Sequence, residues 1–345
     1  MFLDQILAAC GFPAVAGDVE ITGITSDSRK VEKGFLFAAL PGSKTNGTDF
    51  LQDAYEKGAV AAVFPKTAFV PDLPMIGIFA DDVRLTLAKM AAVFYAPQPD
   101  TVVAVTGTNG KTSTANFTRQ IWEFLGKKAA CIGTLGVVTN DFTAYGSLTT
   151  PDSVTLHKEL QDLAKQGYQH TAIEASSHGL EQHRIDGISL TAAAFTNITR
   201  DHLDYHGTME NYLNAKLKLF DRPLSSRTAV LNADIPEYEQ IADYCRSKGL
   251  KIIDYGKNAA VLKLKESQMD TNGQMLRLEI EGREQTVRLP LAGTFQAMNA
   301  LCALGLAIAS GEDAEQAAAA LAELKGAPGR LEFIGERRNG ASVYV

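Results

Sequence analysis

Residues 106–112 read TGTNGKT and follow directly on the apolar run Val102-Val103-Ala104-Val105. An apolar strand that ends in a glycine-rich turn, then opens a helix with Lys and Thr, suits phosphate. Successive backbone N–H groups and the helix N-terminus make an anion cradle, Lys111 adds a point charge, and Thr112 offers a hydroxyl to Mg²⁺. The common GxxxxGK[ST] pattern would need glycine at 105, where Val105 stands. The loop is therefore a short variant, in which Gly107, Thr108, Asn109, Gly110, Lys111, Thr112 and the following Ser113 are expected to bind ATP. All six histidines fall between 157 and 206, four of them in two strings, EASSHGLEQHR (174–184) and TRDHLDYH (199–206). Each string follows an apolar run, so both are expected at strand ends beside the phosphate loop. Glu174 puts a carboxylate where a hard cation takes oxygen ligands. His202 is a further ligand or a group that orients the γ-phosphate. His157 and His170 stand alone and read as packing groups.

The elements that position these strings are legible from periodicity. Apolar runs at 102–106, 129–134, 171–176, 192–198, 228–233 and 251–255 alternate with helical patterns such as 113–125 and 152–166. Asp152 is the expected N-cap of the second. Alternation of this kind predicts a parallel, doubly wound sheet with ligands at the carboxyl ends of its strands. Period-two alternation over 260–291 predicts antiparallel hairpins added to that sheet. Helices are expected at 296–309 and 314–324. Ahead of Ala96-Pro97-Gln98-Pro99, a proline-marked linker, lies a smaller mixed α/β region. Its first helix should turn Phe2, Leu3, Ile6 and Leu7 to one face. The expected domains are 1–97, 98–329 and the start of another at 330–345, where the arms flanking Arg338-Asn339-Gly340 read as a hairpin.

The 345 residues include 33 Lys and Arg against 40 Asp and Glu, a net charge of −7, which argues against a nucleic-acid partner. Hydrophobic residues make up 46 %, enough for substantial cores, yet no stretch approaches the ~18 apolar residues of a membrane span. Leu7-Ala8-Ala9-Cys10 looks like a lipoprotein cleavage site, but the first basic residue of the sequence is Arg29 and Asp4 interrupts the apolar run, so an amphipathic helix is expected here rather than a secretion signal. The four cysteines lack CxxC or metal spacing and read as buried thiols of a reducing cytoplasm. Oligomeric state is not legible.

Taken together, TGTNGKT, SLTTPD (147–152), EASSHGLEQHR, NITRDHLDYHG (197–207) and AGTFQAMNAL (292–301) resemble the Mur ligases of peptidoglycan synthesis. The Thr-Thr-Pro-Asp and Ser-Ser-His-Gly-Leu strings narrow the resemblance to the MurE branch. That branch adds a third amino acid, meso-diaminopimelate or L-lysine, to UDP-N-acetylmuramoyl-L-Ala-D-Glu. SDSRKVEKGFLFAALPGSKTNG (26–47) is similar to the family's N-terminal uridine-nucleotide domain. The resemblance implies that Ser26, Ser28, Ser43, Lys44 and Thr45 contact the uridine diphosphate. It implies that Thr149, Thr150, Ser176, Gln182 and Arg184 hold the muramoyl-peptide, and Asn299 and Arg330 help hold ATP. Where family members often have Asn, this chain has Gln296.

By pattern alone Lys216, in the amphipathic stretch 209–220, is an ordinary surface lysine. The resemblance instead implies a CO₂-derived carbamate on Lys216, which with Thr112, Glu174 and His202 would hold two Mg²⁺ ions. Lys218 is assigned no role. The implied reaction is ATP-dependent amide formation through an acyl phosphate, serving cell-wall growth, cell shape and division. A third domain is expected to begin after about residue 330, so this chain alone should turn over weakly or not at all. The rival readings are a folylpolyglutamate synthase-like ligase and a non-catalytic nucleotide-binding module.

Overall fold

The structure, a computed structural model, describes residues 1–15, 17–42, 45–270 and 273–329, with the backbone of 333–336 and 342–344. It divides into two compact units. The first comprises Met1–Gln98 together with Asp152–Asp162 and Gln182–Ile188, and the second comprises the remainder.

The first unit is built on four parallel strands in the order β1 (Gly23–Thr25), β2 (Phe35–Ala38), β3 (Ala61–Pro65) and β4 (Ile76–Ala80). Strand side chains alternate between faces, and here both faces are apolar. Leu36, Ala38, Ala61 and Val63 pack with helices Leu3–Ala9 and Val83–Phe94, whereas Phe37, Ala62 and Phe64 pack with Leu51 and Ala54. Two-sided burial of this kind is the usual condition of a parallel sheet. Leu3, Ile6 and Leu7 are buried as expected, but Phe2 is 48 % exposed. It precedes the helix in extended backbone, so the helical period does not carry it to the core.

The second unit holds an eleven-stranded sheet. Its parallel centre runs β12 (Lys251–Gly256), β11 (Leu224–Asn232), β10 (Leu190–Phe195), β5 (Thr101–Thr106), β9 (His170–Glu174) and β6 (Ala129–Gly133). On one side β13 (Leu262–Asp270) joins β12 in parallel, and β14 (Gly273–Ile280) and β15 (Arg283–Leu289) extend it antiparallel, as the period-two pattern predicts. On the other side the antiparallel pair β7 (Gly136–Thr139) and β8 (Thr143–Ala144) follows β6. Helices Lys111–Phe124 and Thr294–Ala309 bury Phe117, Ile121, Trp122, Leu301 and Leu304 in the largest core. Asp152 caps helix Ser153–Lys165, its Oδ1 accepting from the N–H groups of Val154 and Thr155 at 3.1 Å.

Two expected helices are shorter than the pattern suggests. Helix Ala314–Ala319 tightens into a 3₁₀ turn at 320–323, and helix Met209–Leu217 does the same at 218–221. At the end of the chain β16 (Phe333–Glu336) and β17 (Ser342–Tyr344) pair antiparallel, consistent with the expected hairpin. Its turn residues lie outside the described residues.

Because β5, β9 and β10 are adjacent and parallel, the segments that leave their carboxyl ends emerge at one edge of the sheet. Those segments are the phosphate loop, the string from Glu174 and the string from Thr199. The topology thus gathers three separated pieces of chemistry.

Candidate active site

The phosphate loop is held open by glycine geometry. Gly107 and Gly110 have φ of +144° and +87°, a region costly for side chains. A Cβ at Gly107 would lie 1.9 Å from Thr196 Oγ1, and one at Gly110 would lie 2.4 Å from Asn299 Oδ1. The loop is also tied to the segment after β10. Thr108 N–H donates to Asn197 O (2.8 Å), Asn109 N–H donates to Asn197 Oδ1 (2.9 Å), and Asn197 Nδ2 and Thr196 Oγ1 both donate to Asn109 O. Lys111 Nζ folds back to donate to the carbonyls of Gly107 and Thr108, each at 2.9 Å.

Glu174 ends β9 and is 2 % exposed. Its carboxyl accepts from Thr112 Oγ1 (2.9 Å), Thr134 N–H (2.8 Å) and Thr134 Oγ1 (3.3 Å). Burial pushes the carboxyl above its ordinary range, although those bonds and the Lys111 charge pull the other way. A buried carboxylate beside a threonine hydroxyl is an oxygen-only donor pair, and hard cations such as Mg²⁺ favour such pairs. A cavity of about 580 Å³ opens here, lined by Thr108 to Ser113, Thr134, Thr149, Glu174, Phe295, Asn299 and Gly329. These residues fit a nucleotide phosphate and its cation.

Lys216 contradicts the surface-lysine reading of its helix. It is 1 % exposed, its Nζ donates to Gly107 O at 2.8 Å, and it lies 4.4 Å from the centre of the Tyr212 ring. Burial, helped by the nearby Lys111 charge, pushes its ammonium down to about 6. Two lysine amines therefore converge on one backbone oxygen, that of Gly107. Tyr212 also reaches the loop, its hydroxyl 3.2 Å from Thr108 Oγ1.

His202 sits away from Glu174's hydrogen bonds and is not on the cavity wall. It adopts φ 51°, pairs with Asp201 at 3.5 Å, and its ring lies 5.0 Å from His178. Among the described residues no group of three His, Cys, Asp or Glu is arranged to hold a metal ion. His206 is buried, with Nε2 3.0 Å from Ser177 Oγ and Nδ1 3.3 Å from Glu181 Oε2. Lys218, half-exposed, pairs with Glu181 at 3.4 Å.

The other expected residues are placed as follows. Thr150 Oγ1 donates to Glu174 O (2.7 Å) and lies 3.0 Å from the Ser176 hydroxyl, and the Thr149 hydroxyl lies 3.2 Å from Thr134 Oγ1. Gln296 is fully buried and accepts from Asn299 Nδ2 at 3.2 Å. Gln182 and Arg184 belong to the first unit, where the guanidinium donates to Gln182 Oε1 at 2.8 Å. In the same unit Ser28 is buried and starts a short 3₁₀ turn, Ser26 is half-buried and Thr45 is exposed. Beside Ser28, Arg29 holds the Asp27 carboxyl down to about 2. A separate cavity of about 610 Å³ at the ends of β2, β3 and β4 is lined by Asn46, Thr48, Thr67 and Arg84 among others. Ser43, Lys44 and Arg330 lie outside the described residues. Sequence reasoning passed over Thr134, Tyr212 and Asn197. Only Asn197 carried a signal, since it opens the NITRDHLDYHG string.

Residues 105–307 match the Mur ligase middle domain, and residues 20–95 match the catalytic domain of the Mur ligase family. The chain belongs to the Mur ligase family and is an ATP-dependent ligase. Among curated proteins it is similar to the UDP-N-acetylmuramoyl-L-alanyl-D-glutamate–2,6-diaminopimelate ligase of Mesorhizobium japonicum. That protein is 48 % identical over 331 residues, which cover 96 % of this chain and 68 % of the relative. A solved structure of a ligase with the same description superposes with a TM-score of 0.86 at 29 % identity, covering 98 % of this chain and 70 % of the other. Folylpolyglutamate synthase of Mycobacterium tuberculosis, solved with ADP, shares the fold at a TM-score of 0.60 and 19 % identity, covering 76 % of this chain and 65 % of the other.

Proposed function

We propose that the protein joins a diamino acid to the D-Glu γ-carboxylate of UDP-N-acetylmuramoyl-L-Ala-D-Glu in peptidoglycan synthesis. The observation that carries this reading is the meeting of a glycine-gated phosphate loop, a buried Glu174 and a buried Lys216 at one edge of the sheet. A carboxylate is a poor electrophile, so the γ-phosphoryl group of ATP is first transferred to it and ADP leaves. The resulting acyl phosphate is attacked by the incoming amine, and inorganic phosphate leaves. The loop N–H groups and Lys111 hold the transferring phosphoryl group and spread its charge. Thr112 and Glu174 would hold a Mg²⁺ ion, whose contribution is to neutralise phosphate charge.

With its ammonium pushed down to about 6, Lys216 is largely an uncharged amine at neutral pH. That is the form that adds to CO₂ with loss of one proton, giving an anionic oxygen ligand for a second cation. His202 is assigned to the outer phosphates or to that cation. Thr149, Thr150 and Ser176 are assigned to the muramoyl-peptide, Gln182 and Arg184 to its carboxylate, and Ser26, Ser28 and Thr45 to the uridine diphosphate. Asn299 is assigned to the nucleotide. Diaminopimelate is the favoured third residue, because similar proteins from Mesorhizobium japonicum and Zymomonas mobilis are described as 2,6-diaminopimelate ligases. Cys131, Cys245 and Cys302 are buried and unpaired, which suits a reducing cytoplasm.

Ligand-dependent thermal unfolding tests the substrate. At a hundred times its dissociation constant, UDP-N-acetylmuramoyl-L-Ala-D-Glu should stabilise the protein by about 2.7 kcal/mol, and folates at the same concentration should not. The opposite ranking would replace this reading with a folylpolyglutamate synthase-like one.

A further inference from the structure

Gln182 and Arg184 flank a histidine in an unusual setting. His183 has φ 57°, a left-handed conformation uncommon outside glycine. Its Nδ1 lies 3.1 Å from Asp186 Oδ2 and its Nε2 lies 3.4 Å from Asp82 Oδ2. Asp82 is itself committed, because its Oδ1 accepts the Leu85 N–H as N-cap of helix Val83–Phe94. The next residues are equally constrained. Buried His157 has Nε2 3.0 Å from Asp186 O, and a Cβ at Gly187 would lie 2.7 Å from Ala92 Cβ. The whole segment Gln182–Ile188 thus packs as part of the first unit.

We propose that His183 is a positioning residue for ligand binding. Wedged between Asp82 and Asp186, its ring fixes the left-handed turn that aims Arg184 and Gln182 at an acidic peptide carboxylate. The inference rests on the assignment of Arg184 to the substrate carboxylate. Backbone strain of this kind persists only where the surroundings over-determine it, and two carboxylates on one ring supply that determination. Without them the turn relaxes, and the guanidinium loses its fixed direction while remaining present.

The test measures affinity for UDP-N-acetylmuramoyl-L-Ala-D-Glu and, separately, for ATP. His183→Ala should weaken the muramoyl-peptide by about tenfold and leave ATP affinity unchanged. His183→Asn should recover much of the loss, because asparagine tolerates a positive φ and its amide can take the place of Nδ1 toward Asp186. Asp186→Asn should weaken the same ligand in the same direction. Unchanged muramoyl-peptide affinity in His183→Ala would overturn the proposal, and so would an equal fall in ATP affinity, which marks general destabilisation. Arg184→Ala separates the two readings. If it binds normally, the carboxylate assignment fails; if it loses binding while His183→Ala does not, only the positioning role fails.

Discussion

Lys216→Met should raise thermal stability and lower ligase turnover in the same protein. The stability gain should be about 1–3 kcal/mol at neutral pH. Methionine fills a similar volume without an amine that burial has pushed down to about 6. The pH dependence identifies the cause. In the unfolded chain Lys216 keeps its ordinary pKa of 10.5, so between about 6 and 10.5 the unfolded state holds a proton that the native state lacks. Stability of the wild type therefore climbs with pH across that window and is least below about pH 6. The climb should flatten in the variant, as followed by denaturant unfolding at several pH values. Whatever turnover the wild-type chain sustains should fall on the order of 10²–10³-fold, the cost of losing one transition-state contact. Carbon-13 NMR with labelled bicarbonate should show a carbamate carbon in the wild type that Lys216→Met lacks. A variant that turns over at the wild-type rate would remove Lys216 from the chemistry.

Lys111→Met should cost a comparable factor, on the order of 10²–10³ in turnover, by a different route. Its amine donates to the carbonyls of Gly107 and Thr108, and those bonds would be exchanged for phosphate oxygens. ATP affinity should drop while affinity for the uridine ligand holds, a split that calorimetry can read. The Lys111 charge is also the second cause of the low Lys216 value. Removing it should move the onset of the Lys216-linked stability climb to higher pH. An onset that stays at about 6 would mean that burial alone sets the lysine.

The parts of this site that were legible in the sequence are those whose causes are local. Apolar runs marked β5, β9 and β10, TGTNGKT announced the loop, and Asp152 announced its helix. Each depends on residues within one element. What was not legible depends on contacts across the chain. Lys216 reads as a surface lysine because its helix period says nothing about Gly107, 109 residues earlier. The incorporation of Asp152–Asp162 and Gln182–Ile188 into the first unit follows from packing that no window of sequence contains. Thr134 is one of many threonines until Glu174 is placed beside it. Phe2 fails for the smallest reason, standing one residue outside the helix whose face it was expected to share.

The Gly107 carbonyl has a consequence beyond geometry. Because Lys111 and Lys216 share it, drawing Lys111 toward phosphate frees an acceptor and changes the field at Lys216. Nucleotide binding and the protonation of Lys216 are then thermodynamically linked, and linkage runs both ways. ATP affinity should vary with pH around 6, and binding there should exchange a fraction of a proton with the buffer. Titration calorimetry in buffers of differing ionisation enthalpy measures that fraction, and a value of zero would mean that the shared oxygen couples nothing.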